Sequence, residues 1–349
     1  MPVALVIGGT GLVGVHLIRE LLAAQWEVVS TRRTPAVSAG GNHRVLALDL
    51  LDPAGVARSL ASLRGVTHVF FLARAWRPGY HIDRDDNVAA LRRVLDAVQD
   101  WPTLEHVQLV HGLKWYGSTR GPFAIPARET DPMPTEPHFY YDQRALVAQR
   151  QHGRGWHWTT LRPHCVSGVA TGSPSNLMLG MAAWIVLQRQ QSDLPVPFPA
   201  TQAAFEARLT YTSADLLARA MRWAAQAQTA RNQDFNVANG DEFRWIDVWP
   251  QTCAALGAQA GPARPCRLSE EVPSLSQAWR SGDAHSGRTI TVFEHLVDWH
   301  FMDATLALAW DQVMSTQKIQ DAGFAQKVDT PEMIRRIVSA YRDQSILPG

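Results

Sequence analysis

Gly8, Gly11 and Gly14 stand three residues apart, directly after the apolar run Val3-Ala4-Leu5-Val6-Ile7. Such a run reads as a buried strand. Leu12, Val13, Val15, Leu17, Ile18, Leu21 and Leu22 then recur at helical spacing. A strand, a glycine turn and a helix in that order make an anion site. Gly8 permits the tight turn, Gly11 lets the backbone approach a pyrophosphate, and Gly14 lets helix and strand pack closely. The free N–H groups at the helix start face the anion. Thr10, Leu12 and Val13 belong to the same turn and are expected to bind with it. The next expected strand, Trp26 to Thr31, ends in Arg32-Arg33. An acidic residue there would bind a ribose 2′-OH. This chain instead has two guanidinium groups, and no carboxylate until Asp49. The planar fork of Arg suits a 2′-phosphate. The expected cofactor is therefore NADP(H); the bland alternative is a solvated pair of surface arginines.

The elements that must position these groups alternate, which argues for an α/β fold with a doubly wound parallel Rossmann sheet. Strands are expected at 44–49, 68–73, 106–110 and 158–163, with helices near 53–63, 84–99 and from Tyr140. Asp49-Leu50 and Leu72-Ala73 end two of these strands, and Asp49 could cap the helix after it. A Pro- and Gly-rich stretch from Gly117 to Pro137 is long enough to be an active-site loop. Beyond it, 176–190 reads as an apolar helix, 193–199 as a loop, 209–212 as a strand leading into a helix, and 235–240 as a strand. The expected organisation is an NADP-binding domain over 1–168, with returning segments about 207–220 and 233–238. A smaller, interleaved, mainly helical substrate lobe takes 169–206 and 239–349. Clefts between such parts are preferred ligand sites.

Composition narrows the function classes. Net charge is +1 and the acids and bases are mixed, so no electrostatic footprint for nucleic acid is present. No run of eighteen apolar residues occurs, and none is expected to span a membrane. The first strand begins at Val3, leaving no room for a signal peptide, and a cytoplasmic location is expected. Cys165, Cys253 and Cys266 have no metal-ligand spacing, and no metal is expected. Five tryptophans beyond residue 240 (Trp245, Trp249, Trp279, Trp299, Trp310) are expected in the core, with an apolar pocket wall as the sharper alternative.

The Gly-x-x-Gly-x-x-Gly spacing is similar to that of extended or atypical short-chain dehydrogenases/reductases. Members normally carry a Ser or Thr after the strand at 106–110 and a Tyr-x-x-x-Lys on the following helix. This chain has neither. It reads His111-Gly112-Leu113-Lys114-Trp115-Tyr116-Gly117, and then Phe139-Tyr140-Tyr141-Asp142-Gln143-Arg144, with Arg144 where the lysine would stand. Both departures resemble the progesterone 5β-reductase/iridoid synthase-like family, whose lysine is displaced to the segment before the loop. Arg162-Pro163 with Gly168, and the long stretch Phe235-Asn236-Val237-Ala238-Asn239-Gly240-Asp241-Glu242-Phe243-Arg244-Trp245, carry the resemblance further.

The resemblance implies NADPH-dependent reduction of an activated C=C bond in a small hydrophobic enone or enal, with Tyr140 and Lys114 as the catalytic pair, Asp49 and Leu50 near the adenine, and Leu72, Ala73 and Pro163 at the cofactor. Arg162 stands 22 residues after Tyr140, the spacing that favours Tyr140. Adjacent helical side chains diverge by about 100°, so only one tyrosine faces the nicotinamide; Tyr141 is the packing residue, or the roles are exchanged. His111, His138 and His164 flank these motifs as structural histidines or as proton relays. Two rival readings share the scaffold: a carbonyl reductase or sugar epimerase/dehydratase, and a non-enzymatic NADP(H) sensor. A homodimer is the base-rate expectation.

Overall fold

The computed structural model describes residues 1–34, 40–75, 83–282 and 297–347, without the side chains of 276–282. Its centre is β1 (Val3–Ile7), an all-apolar strand of which Ala4 to Ile7 are wholly buried. Continuous apolar sequence is what a parallel strand covered on both faces requires. Beside β1 lie β2 (Glu27–Arg32) on one flank and β4 (His68–Phe71) on the other, both parallel to it. Next to β2 is β3 (His43–Ala47). Beyond β4 follow β5 (His106–Val110) and β6 (His157–Pro163). Two short pairs lie outside this sheet: β7 (Val166–Ser167) with β9 (Thr212–Ser213), and β8 (Val196–Phe198) with β11 (Ala260–Ala263). The chain then re-enters the main sheet as β10 (Gln233–Val237), parallel to β6.

The resulting order is β10-β6-β5-β4-β1-β2-β3. The chain winds outward from β1 to β3, then reverses at β4. That reversal opens a crevice at the carboxyl ends of β1 and β4, where ligands bind in open α/β sheets.

Alternation along β1 divides two cores. Leu5 and Ile7 pack with Leu60 of α2 (Pro53–Ala61), Leu91 of α3 (Arg84–Val98) and Leu146 of α4 (Phe139–Gln151). Ala4 and Val6 pack with Leu17 of α1 (Leu12–Ala23) on the opposite face. Leu216 and Met221 join that second core.

A third core lies in the second half. It joins α5 (Leu177–Gln191), whose residues 177–187 are all buried, with α6 (Gln202–Glu206) and α8 (Trp245–Ala255). Helix α7 (Ala214–Gln226) instead packs on α1. Helix Thr330–Asp343 packs on both α5 and α8.

Two sequence expectations need correction. The stretch 193–199, read as a loop for its three prolines, contains β8. Pro197 cannot donate to a ladder, but a short two-stranded pair places no demand on that amide; the neighbouring Val196 N–H reaches the Gln259 carbonyl at 2.7 Å. The strand expected at 209–212 is instead isolated bridges from Leu209 to Phe243 and Gln312, plus the two residues of β9. Trp245, Trp249 and Trp299 are core residues. The Trp310 indole donates to the Ser118 carbonyl at 3.1 Å. The Trp279 side chain lies outside the described residues.

Candidate active site

The glycine turn is shaped by close backbone contact. Gly8 has φ +93°, and a Cβ there would sit 2.9 Å from the Ala73 amide nitrogen. A Cβ on Gly14 would sit 2.3 Å from the Gly8 carbonyl oxygen, so only glycine lets α1 start this close to β1. A Cβ on Gly11 would meet only the Gly8 carbonyl oxygen, at 3.6 Å, an ordinary contact, and the turn borders an open cavity. Gly11 is also the N-cap of α1 and offers no side-chain cap, and no acidic residue occupies the first turn. The first amides of a helix have no partner within it. The turn therefore presents uncapped N–H groups to an open space, as an anion requires.

That space is part of a cavity of about 680 Å³ along the carboxyl ends of the strands. It brings together all the residues expected at the site. Thr10, Leu12 and Val13 line it with the glycines. On the β2 flank, Arg32 and Arg33 line it with Asp49 and Leu50. Both arginines are exposed, and neither makes an ion pair with a described residue. Asp49 accepts the Leu51 N–H at 2.9 Å and does not cap α2, whose N-cap is Asp52. Leu72 and Ala73, just beyond β4, and Pro163, at the end of β6, complete the wall between the two flanks.

On the β5 flank stand Lys114 and Tyr140. Lys114 rides on a single 3-10 turn, Leu113–Tyr116, directly after β5. Burial, and then the positive charge of Arg74, lower its pKa from the usual lysine value. The Lys114 ammonium makes no hydrogen bond or ion pair with a described residue. An ammonium held in this cavity and paired with no described carboxylate is a candidate for handling a ligand's charge.

Tyr140 lies in the first turn of α4, which His138 caps by accepting the Tyr140 N–H at 3.1 Å. A Cβ on Gly112 would lie 3.5 Å from the Tyr140 hydroxyl and 3.4 Å from the Pro163 carbonyl. The hydroxyl thus stands beside the backbone that links β5 to the lysine turn. Tyr141 points elsewhere: its hydroxyl donates to the Trp115 carbonyl at 2.8 Å.

Behind this wall is a buried polar network. Arg162 pairs with Asp234 at 3.2 Å, donates to the Tyr116 hydroxyl at 3.1 Å, and lies 3.7 Å over the Trp115 ring. Tyr116 donates to Asn236 at 2.7 Å. Burial opposes the Asp234 charge, yet Arg162 and Arg144 outweigh it and hold the carboxyl below its usual pKa. Arg144 is committed to Asp234 and to the Trp158 ring, and does not replace the missing helical lysine in the cavity.

The flanking histidines are neutral near pH 7. Burial first, then nearby positive charges, lower His111 to about 3 and His138 to about 4. Burial lowers His164 to about 4, against its bond to the Thr210 carbonyl. Burial raises the Cys165 thiol to about 12, so it stands in the cavity as a neutral group.

Several wall residues carried no sequence signal. Phe301, Thr305, Leu308 and Gln312 come from far along the chain to line the same cavity as Tyr140. Gln143 is the exception, since it follows Tyr140 by three residues on one helical face. A small pocket of about 20 Å³, lined by Phe198, Tyr211 and Trp245 among others, adjoins the cavity through His164, Cys165 and Gln312.

Residues 50–272 match the family model described as a PRISE-like Rossmann-fold domain. The chain is similar to an (S)-8-oxocitronellyl enol synthase of Camptotheca acuminata, 27% identical over 99% of this chain and 93% of that protein. It is similar at 26% identity to a 3-oxo-Delta(4,5)-steroid 5-beta-reductase of Arabidopsis thaliana, with the same coverage of both chains. Among solved structures, the fold is similar to a UDP-glucose 4-epimerase of Thermotoga maritima. The TM-score is 0.71 at 16% identity, over 98% of this chain and 99% of that one.

Proposed function

The chain belongs to the PRISE-like Rossmann-fold family, and from that premise we propose that it is an NADPH-dependent reductase of activated C=C bonds, an enzyme of the short-chain dehydrogenase/reductase type. The observation that carries this reading is the shared cavity: the uncapped glycine turn, Arg32 and Arg33, which pair with no described residue, and the Lys114 and Tyr140 side chains all line it. Relatives named as an enol synthase and a steroid 5-beta-reductase support the same chemistry.

The site fits a dinucleotide phosphate. Gly8, Thr10, Gly11, Leu12 and Val13 would hold the pyrophosphate, and Arg32 and Arg33 the 2′-phosphate. Asp49 and Leu50 would flank the adenine side, and Leu72, Ala73 and Pro163 the remaining wall. When bound, NADPH supplies a hydride to the β-carbon of an enone or enal.

The chain's own residues manage the charge that this creates. Negative charge moves through the conjugated system to the carbonyl oxygen. The Tyr140 O–H donates a hydrogen bond to that oxygen, and a preorganised donor aimed at developing charge is usually the largest catalytic contribution. The Lys114 ammonium adds positive potential in a site of low dielectric, where it acts more strongly than in water. The enolate then takes a proton at the α-carbon from solvent, which completes the saturated ketone or aldehyde. Apolar groups such as Phe301 and Leu308 line the same cavity and suit a hydrophobic substrate.

The test is NADPH oxidation against a panel of cyclic and linear enones and enals, with products identified by mass and NMR. A saturated carbonyl product is expected. An allylic alcohol would make the protein a carbonyl reductase, and tight NADPH binding without turnover across the panel would favour the sensor reading.

A further inference from the structure

The two adjacent tyrosines of α4 have different partners, and the second one grips the turn that carries Lys114. That turn has little to hold itself. A single 3-10 turn makes few internal bonds; the Trp115 N–H reaches the Gly112 carbonyl at 2.9 Å, and the Gly117 N–H the Lys114 carbonyl at 3.1 Å. Its anchors come from outside. The Tyr141 hydroxyl donates to the carbonyl of Trp115, the residue directly after Lys114, at 2.8 Å. The Tyr141 ring also stands edge-on to the Trp115 indole, at 4.9 Å and 89°. The Arg162 guanidinium covers the same indole at 3.7 Å.

We propose that Tyr141 is a positioning residue, which fixes Lys114 relative to Tyr140 through its bond to the Trp115 carbonyl. The geometry favours such a role because both tyrosines belong to one rigid helical turn. Whatever places Tyr140 in the cavity also sets where the Tyr141 hydroxyl meets the lysine turn. Lys114 itself makes no hydrogen bond or ion pair with a described residue that could fix its head group. Its place is set by the backbone beneath it, and a mobile lysine would swing to water to escape burial and the charge of Arg74. The tandem tyrosines then divide the work: Tyr140 meets the ligand, and Tyr141 keeps the ammonium within reach of it. The inference takes Tyr140 and Lys114 as the reacting pair of the proposed function, but its first readout needs no turnover.

The chain contains three lysines, Lys114, Lys318 and Lys327. Reductive methylation with ¹³C-formaldehyde labels these three and the N-terminus, and NMR follows each titration separately. The variant is Tyr141→Phe, which keeps the ring and removes only the hydroxyl; Lys114→Arg assigns the signal. The expected result is a Lys114 resonance that moves, and titrates closer to an ordinary lysine, in Tyr141→Phe. Lys318 and Lys327 should stay in place, and kcat for enone reduction should fall about tenfold with a normal melting transition. A Lys114 signal that titrates identically in both proteins overturns the proposal, whatever the rate does. Wild-type protein that reduces no enone, with a Lys114 signal that still responds to Tyr141→Phe, overturns the proposed function and leaves the positioning role standing.

Discussion

His111 and Tyr140 stack face to face, with ring centroids 4.7 Å apart and planes 29° from parallel. Both ring nitrogens of His111 are buried without a hydrogen-bond partner among the described residues. An unsatisfied buried polar group costs about 1–3 kcal/mol. His111→Phe keeps a flat ring against Tyr140 and removes both orphaned nitrogens. The expected outcome is a gain of about 1 kcal/mol in urea unfolding of the ligand-free protein. A loss of stability on this substitution would show that the imidazole nitrogens have a partner the chain alone does not supply.

The buried histidines make stability depend on pH. Burial, first among the causes, lowers His106 and His111 to about 3, and His138 and His164 to about 4. In the unfolded chain the same imidazoles protonate near 6.5. Between those limits the unfolded state binds more protons, so unfolding is favoured as pH falls. Stability is therefore complete above pH 6.5 and declines toward pH 4. The slope approaches roughly 1.4 kcal/mol per pH unit for each histidine that has protonated only in the unfolded chain. Urea midpoints at pH 7.5, 6 and 5 measure this directly. Equal midpoints would mean that these imidazoles are solvated in the native protein.

Removing the Tyr140 hydroxyl tests the proposed chemistry. Tyr140→Phe keeps the ring that packs against His111 and deletes only the donor. Loss of one preorganised donor lowers kcat by roughly a hundred- to a thousandfold. NADPH affinity, measured by fluorescence titration, should change less than about threefold, because the expected pyrophosphate and 2′-phosphate contacts are untouched. A variant that keeps full turnover would remove Tyr140 from the mechanism.

The fold and much of the site were legible where local chemistry is decisive. The glycine turn could be read because Gly8 and Gly14 are forced by backbone contacts within one strand–helix unit. Strands β1 and β4 could be read because buried parallel strands are near-continuous apolar runs. The swap of β8 for an expected loop shows the limit, since Val196 and Phe198 pair with Ala260 and Ala263, far along the chain, and local composition says only proline. Long-range contacts hid the rest. Tyr141 looks like a packing residue in sequence, and its 2.8 Å bond to the Trp115 carbonyl, which ties it to the lysine turn, has no local signal. The unsatisfied nitrogens of His111 depend on what fails to surround them, which no spacing encodes. Phe301 and Gln312 reach the cavity only because the second half of the chain folds back over it.

Cofactor choice should reside in Arg32 and Arg33. Both line the cavity on the β2 flank and neither is paired with a described carboxylate, so both are available to an anion. A hydrogen bond to a charged group contributes about 1.5–3 kcal/mol, and each 1.4 kcal/mol is a tenfold change in affinity. Arg32→Ala or Arg33→Ala should therefore raise the Kd for NADPH by roughly ten- to a hundredfold, whichever of them grips the 2′-phosphate. NADH lacks that phosphate, so its affinity should move by less than about threefold in the same variants. High salt should weaken NADPH binding to the wild-type protein and leave NADH nearly unaffected, because the contact is exposed and screened. Isothermal titration of both nucleotides, at low and high ionic strength, separates the two arginines and the two cofactors. Equal losses for NADPH and NADH would place these side chains at a part of the nucleotide common to both, and would remove the basis for NADP preference.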